Sequence, residues 1–372
     1  MNRAHCESEI PRDARKREDR NEIDPEENIL PFEREYGASL STKDDKHIRI
    51  MTQNIRFFPI EGRNEARYDL FKRDMQDGQY DIIGLSETNY NWNNLSDDEK
   101  IHQQTRGWWR NQAAQKSWLK SEDKNERQIG GTATIVTNNL TSYITNRGED
   151  DRKLGRWSWM TISDPTKTIH TTILTLYHPC RTFSSGSVNG QQLQQIREKY
   201  PHMDEDTFSL YTKDLQKLIK SQLSDTHHMI VMGDLNQNTT GRSKLVRMLK
   251  MVGLRDPIHE KHGGSIPATH INGSLPIDVI LCSPHINIID GGHCKGDINI
   301  SDHKIIWIDI DRATLLGDTK EIVRPMTRKL ISHHPTIRKE YNKKLEEILH
   351  KQGGNQKLRK LQVAVASKTK KE

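Results

Sequence analysis

MIVMGDLN (Met229–Asn236) places four apolar residues in a row, then a glycine, then Asp234 and Asn236. An unbroken apolar run of this length fits a strand covered on both faces, because a strand with one wet face alternates instead. The two polar residues at its C-terminal end stand where a rigid sheet gives way to an exposed loop, which is where ligand sites form. Seven further runs share its texture: IRIMTQNI (48–55), DIIGLSE (81–87), TATIVT (132–137), WSWMTI (157–162), IHTTILTLY (169–177), IDVILCS (277–283) and KIIWIDI (304–310). Their β-branched content and short length predict a strand in each.

Between some of these runs the period changes from continuous to helical. Phe208, Tyr211, Leu215, Leu218 and Ile219 fall on one helical face, as do Leu245, Met248, Leu249 and Val252, and Tyr68, Phe71 and Met75 suggest a third. Strands mixed with covering helices predict an α/β protein with its helices outside the sheets. Residues 90–127, rich in Trp, Asn and charge, have no clear period and are expected as surface loops with a helix near 110–120.

Only 33% of the 372 residues are hydrophobic and the mean hydropathy is −0.86, so part of the chain must lie outside any packed core. Residues 1–47 hold 9 Lys+Arg against 13 Asp+Glu, with Pro11, Pro25 and Pro31, and are expected to be disordered. Residues 48–312 are expected to form the domain, and 313–372 a basic, partly helical tail. The basicity of the chain sits in that tail: residues 319–372 carry 15 Lys+Arg against 5 Asp+Glu, whereas 48–318 carry 33 of each. A basic tail supplies sequence-independent attraction to nucleic acid, or is simply a solvated helix. Ile337, Tyr341, Leu345, Ile348 and Leu349 form a helical stripe within it.

No apolar run approaches the ~18 residues that span a bilayer, so no membrane partner is expected. The first residues lack the apolar stretch of a secretory signal. Cys6, Cys180, Cys282 and Cys294 form no C-x-x-C pair and no disulfide framework. A reducing compartment is expected, cytosol or nucleus, with the nucleus favoured.

The polar residues at strand ends make one chemical set: Asn54, Glu87, Tyr177, Asp234 and Asn236 close strands, and Asp302 and His303 precede the last. Taken singly, an Asp or Asn at a strand end is more often a turn or cap residue. Together they suit phosphodiester cleavage, which needs a counter-charge for phosphate, an activated water and donors to the transition state. A hard divalent cation on carboxylate and amide oxygens meets the first need, with Glu87 as main ligand and Asn54 supplying a carbonyl oxygen or orienting Glu87. Asp234 accepts a proton from water or orients it. Asn236 donates to a non-bridging oxygen, and so does His303 when protonated. An imidazole in that role needs a carboxylate behind it. Asp278, charged inside the apolar run LPIDVILCS, is the candidate, since a charge there is costly unless paired. Most of the other histidines, among them His227, His228, His259, His262 and His270, are expected on the surface; no ligand spacing points to zinc.

Read in order, the segments TQNI (52–55), SET (86–88), Gly130–Gly131 with its apolar strand, LYHP (176–179), GDLN (233–236), IDVILCS and SDHK (301–304) resemble the motif series of the endonuclease/exonuclease/phosphatase superfamily over roughly residues 48–312. The resemblance implies a four-layer α/β/β/α sandwich of two mixed sheets with helices on both outer faces, and Mg²⁺ or Mn²⁺ as cofactor. It implies Glu87 as metal ligand with Asn54 and Asp302 nearby, Asp234 for the nucleophilic water, and Asn236 and His303 for the transition state. It places Asp278 behind His303 and Tyr177 on the phosphate. Thr269 matches a further family position. Whether Asp234 or His303 is the base stays open at this stage.

Substrate is read more coarsely. VMGDLN and LPIDVILC lack the tryptophan-containing motifs usual in inositol polyphosphate phosphatases, SIPATHINGSLPID lacks the tryptophan usual in abasic-site enzymes, and secreted sphingomyelinases need a signal peptide. QQLQQIREKYPHMDEDTFSLYTKDLQKLI looks like the corresponding helices of LINE-type retroelement endonucleases, and the tail segment RKLISHHPTIRKEYNKKLEEIL looks like the linker that precedes reverse transcriptase in such polyproteins. The expected function is therefore a metal-dependent, DNA-nicking endonuclease of retroelement origin acting on double-stranded DNA. The alternatives are a repair or general phosphodiesterase, and a catalytically unused fragment that binds nucleic acid.

Overall fold

The computed structural model describes residues 40, 43–120, 128–202, 205–263, 266–294, 299–317 and 335–354, with scattered positions up to 362. The segment expected to be disordered, 1–47, lies mostly outside these residues. The described residues fall into two units, one ending at 317 and one beginning at 335.

The first unit holds eleven strands in two mixed sheets. β1 (His47–Asn54), β2 (Ile82–Ser86), β3 (Gln112–Ser117), β4 (Thr132–Thr137), β10 (Ile288–Cys294) and β11 (Ile305–Asp311) make one sheet in the order β10-β11-β1-β2-β4-β3. β5 (Ile144–Glu149), β6 (Trp157–Ser163), β7 (His170–Tyr177), β8 (His227–Asp234) and β9 (Asp278–Cys282) make the other in that order. β1 pairs with β2, and β7 with β8, in parallel; the other pairings are antiparallel.

Three apolar layers show why the central strands read as unbroken runs. Ile48, Ile50 and Ile82 of one sheet meet Met160, Ile173, Ile230, Met232 and Ile280 of the other between the sheets. On the outer side of the first sheet, Met51, Ile83 and Leu85 pack against Tyr68, Phe71 and Met75 of α1 (Glu65–Asp77). On the outer side of the second, Leu174, Val231 and Leu281 pack against α4 (Thr207–Gln222) and α5 (Lys244–Met251). A strand covered on both faces favours apolar residues on both. The result is the α/β/β/α sandwich. Side chains of Asn64, Asp206 and Ser243 cap α1, α4 and α5 by accepting from backbone amides of the first turn.

Two expectations are corrected. Residues 112–117 form the edge strand β3, paired with β4, where a helix was expected near 110–120. QAAQKS offers neither an apolar run nor a clean alternation, and its pairing with β4 decides its conformation. Trp92, Trp108 and Trp118, expected in surface loops, are buried in the layer under α1. In the second unit, α8 (Pro335–Lys351) carries Tyr341, Leu345 and Ile348 exposed; the side chain of Ile337 lies outside the described residues. Among the described residues no helix is long and apolar enough to cross a membrane.

Candidate active site

Strand parity gathers the polar set. Side chains alternate between faces along a strand, and Ile48 and Ile50 of β1, Ile230 and Met232 of β8, and Ile280 and Cys282 of β9 all face the inter-sheet layer. Counting on by twos puts Asn54, Asp234 and Asp278 on that same inner face. Register brings them together: Asp234 is opposite both Tyr177 and Asp278, and Asn54 is beside Ser86, the residue before Glu87. Toward this end the layer turns from apolar to hydroxyl-rich. Thr134 Oγ1 on one sheet donates to Thr175 Oγ1 on the other at 2.8 Å, and Ser86 Oγ donates across to the Leu176 carbonyl at 3.0 Å.

The backbone here is unusual. Arg56, Glu87, Asn89 and Asn236 follow strand ends with φ of 60°, 53°, 55° and 47°. Non-glycine residues avoid this left-handed region, so four of them at one end of the sandwich mark a place where side-chain direction overrides backbone preference. Gly233, with φ 135°, is required by contact: a Cβ there would lie 1.9 Å from the Leu176 carbonyl oxygen.

Asp234 is fully buried and held from three directions. Asn54 Nδ2 donates to Oδ2 at 2.9 Å, the Asn236 amide N–H to Oδ1 at 2.7 Å, and Asn236 Nδ2 to Oδ2 at 3.1 Å. Burial, then the charge of Asp278, pushes its carboxyl well above the usual range. Asn54 Oδ1 accepts the Arg56 amide at 3.0 Å, so its side chain spans from the backbone to Asp234 rather than to Glu87. Asn236 is committed too: Nδ2 also donates to the His178 carbonyl at 2.8 Å, and Cys180 Sγ donates to its Oδ1 at 2.9 Å.

His303 Nδ1 meets Asp278 Oδ2 at 2.8 Å, both side chains buried. Burial alone would lower the imidazole, but the Asp278 carboxylate overrides it and raises His303 to about 10. Thr269 Oγ1 accepts the Ile277 and Asp278 amides at 3.0 and 3.1 Å and so fixes the strand behind the pair. Ser301 Oγ bridges the two halves, donating to the Asn54 carbonyl and accepting the His303 amide. Asp234, Asp278 and His303 offer ligand atoms all within 4.8 Å of one another.

Glu87 sits apart from that group, at the wall of a cleft of about 890 Å³ that Arg56, Asn89, Tyr177 and Cys180 also line. The Tyr177 hydroxyl donates to Glu87 Oε1 at 2.9 Å; burial and then the Glu87 charge raise that phenol, so it stays a donor. Asp302 faces Arg56 at 3.5 Å and His270 at 3.6 Å. Burial works to raise its carboxyl, yet the His270 bond and the Arg56 charge hold it at about 2. The loop after β7 divides the cleft from a second depression of about 1090 Å³, lined by His178, Phe183, Phe208 and Asn236.

His270 was expected on the surface. It is half-buried and stacks edge-on against His303 with ring centroids 4.9 Å apart. The only sequence signal was its place next to Thr269. His270, Asp302 and His303 also have ligand atoms within 4.8 Å of one another. Yet the Asn272 amide points at His270 Nδ1 at 3.1 Å, which leaves the proton of a neutral ring on Nε2, toward Asp302. A metal-bound histidine shows the reverse arrangement, so this group is a hydrogen-bond relay. His228 is a second correction: it is buried at the start of β8, 5.2 Å from the His285 ring. His227 is half-buried beside it, with Nε2 2.8 Å from Thr172 Oγ1.

The donors that remain for a metal are oxygens: the carboxylates of Glu87 and Asp302 and, once turned, the Asn54 carbonyl. Four carboxylates at this end outweigh the nearby cations His303 and Arg56. A hard divalent ion such as Mg²⁺ or Mn²⁺ fits such a set, and a thiophilic one does not.

The profile of the Endonuclease/Exonuclease/phosphatase family matches residues 51–303. Among solved structures, the chain is similar to an endonuclease/exonuclease/phosphatase family protein from Leptotrichia buccalis C-1013-b, at 16% identity and a TM-score of 0.48, covering 71% of this chain and 99% of that one. It is similar to an AP endonuclease from Archaeoglobus fulgidus, at 12% identity and 0.49, covering 71% and 99%. It is also similar to the endonuclease domain of TRAS1, a telomere-specific non-LTR retrotransposon, at 13% identity and 0.44, covering 71% and 98%. No curated protein matches the chain closely.

Proposed function

The chain belongs to the endonuclease/exonuclease/phosphatase family, whose members hydrolyse phosphoester bonds, and from that premise we propose that it is a divalent-metal-dependent endonuclease that nicks double-stranded DNA and derives from a retroelement. The observation that carries the reading is the meeting of two buried, hydrogen-bonded assemblies, with polar atoms of Asp234, Asp278 and His303 all within 4.8 Å of one another. Asp234, held by Asn54 and Asn236, is a carboxylate made more basic by burial. His303, backed by Asp278, is an imidazolium at neutral pH. Both groups are raised above their ordinary values, and a carboxylate beside an imidazole can divide the roles of general base and general acid.

Asp234 accordingly takes the proton of the attacking water, and His303 donates to a phosphate oxygen as negative charge develops there. This assigns the base to Asp234. A hard cation held by Glu87, with Asn54 and Asp302 nearby, would neutralise phosphate charge. Tyr177 orients Glu87 through its hydroxyl and lines the cleft where the phosphate must lie. Asn236 holds Asp234 in line, since its amide hydrogens are engaged by Asp234 and the His178 carbonyl.

Support for DNA and for retroelement origin comes from the segments before GDLN and in the tail, and from the tail's charge. A nuclear site of action accompanies a DNA substrate. The test is supercoiled plasmid incubated with purified protein. Nicked circles are expected with Mg²⁺ or Mn²⁺ and none with EDTA; full activity after exhaustive chelation, or intact plasmid with either ion, refutes the reading.

A further inference from the structure

Asp278 is 3% exposed. One carboxylate oxygen, Oδ2, serves His303, while the other, Oδ1, is buried and has no hydrogen-bond partner among the described residues. Buried polar atoms are almost always satisfied, and an ionised one gains most from a donor. Asp278 also lines a small cavity of about 10 Å³ together with Thr239, Asp256, His293, Ile280 and Ile306. Ile280 and Ile306 belong to the inter-sheet layer, and Asp278 alternates with Ile280 on β9, so its carboxylate emerges on the same inner face. A cavity of this size holds one water, and buried waters make about three hydrogen bonds. Polar groups of the right kinds are present. Thr239 brings a hydroxyl donor. Asp256, whose Oδ1 accepts the His259 amide at 3.0 Å, brings a second carboxylate.

We propose that this cavity is a site for one ordered water, which donates to Asp278 Oδ1 and to Asp256 and accepts from the Thr239 hydroxyl, making Thr239 and Asp256 positioning residues for the His303–Asp278 pair. The inference rests on the reading of that pair as part of the hydrolytic site. Neither residue reaches the substrate cleft through this network. Its loss lets the Asp278 carboxylate rotate, and so misdirects His303 during the chemical step without changing substrate binding.

A crystal structure of the wild-type chain decides the first half. Density is expected in the cavity about 2.6–3.2 Å from Asp278 Oδ1, and a dry cavity overturns the proposal. Kinetics decide the second half. Thr239→Val keeps the side-chain shape and removes the donor; kcat should fall about tenfold with KM unchanged, and Thr239→Ser should restore it. A Thr239→Val enzyme with wild-type kcat overturns the positioning role. If Thr239→Val does not fold, Asp256→Asn takes its place, because an asparagine still caps the helix Pro257–His262. Wild-type protein without metal-dependent cleavage would end the functional reading, while the density would still decide whether the water site exists.

Discussion

Replacing Asp278 by asparagine removes one negative charge from behind His303 and changes little else in shape. The Asn carbonyl can still accept from Nδ1, so the 2.8 Å contact survives in outline. What is lost is the preference for the imidazolium. His303 titrates at about 10 in the folded chain and has an ordinary value of 6.5, a difference that corresponds to roughly 5 kcal/mol. Without that charge burial still lowers the ring while Asp234 and Glu87 still raise it, so the variant imidazole titrates below the wild-type one. If proton donation by His303 carries the transition state, kcat falls by up to about 10³-fold. The stability consequence has a definite sign. A histidine raised on folding stabilises fully below pH 6.5 and loses that contribution as pH climbs through about 10. Wild-type stability therefore declines across that window, and Asp278→Asn should be flatter there. The assays are single-turnover cleavage of a saturating oligonucleotide with Mg²⁺ at pH 7, and imidazole NMR of the metal-free protein. A variant whose His303 titrates as in the wild type, or whose kcat is within a few-fold of wild type, refutes the reasoning.

Three further outcomes are expected. Asp234→Ala and His303→Ala should each lower kcat by about 10³-fold or more, and the double variant should be little worse than either, because parts of one unit are not additive; near-wild-type turnover of a single variant removes that residue from the site. Gly233→Ala should be strongly destabilising, since the new Cβ would lie 1.9 Å from a backbone carbonyl oxygen near the C-terminal end of the parallel β7–β8 pair; a melting temperature within a degree of wild type would contradict the β7–β8 geometry. Truncation after Asp318 removes 15 Lys+Arg and 5 Asp+Glu. It should flatten the salt dependence of binding to long duplex DNA and leave cleavage of a short saturating oligonucleotide nearly unchanged; equal slopes of log K against log salt would mean the tail does not touch DNA.

The eight strands legible in the sequence are the two sheets' interior strands together with β9. The three that were not, β3, β5 and β10, are sheet edges. An interior strand of a sandwich is covered on both faces and is mostly apolar, which leaves a mark that a single sequence carries. QAAQKS, ITNRGE and IIDGGHC pair on one side only and tolerate polar and small residues, so their conformation comes from the neighbouring strand. The same logic hid the buried tryptophans of residues 90–118: irregular backbone with no period still supplies large side chains to the layer under α1.

The candidate site was legible for a related reason. Its members stand at strand ends on a fixed parity, so Asp234 and Asp278 are placed by counting twos from Met232 and Ile280. Sequence gives this position along the strand, but not which polar atom answers which across the gap between sheets. Asn54, Gln53 and Ser301 show the difference. Asn54 turns to Asp234 on the opposite sheet, Gln53 Nε2 donates outward to the His303 carbonyl at 2.9 Å, and Ser301 ties the Asn54 carbonyl to the His303 amide. These contacts fix the spacing between base and acid. They are made by residues whose types are common at any loop, so only the closed geometry separates them from ordinary turn residues. A proton acceptor and a proton donor with shifted affinities can persist side by side only if such ties keep them from collapsing into a simple ion pair. The bonds from Asn54 to Asp234 and from His303 to Asp278 each run from the end of one sheet to the other and so hold the two groups in place across the inter-sheet gap.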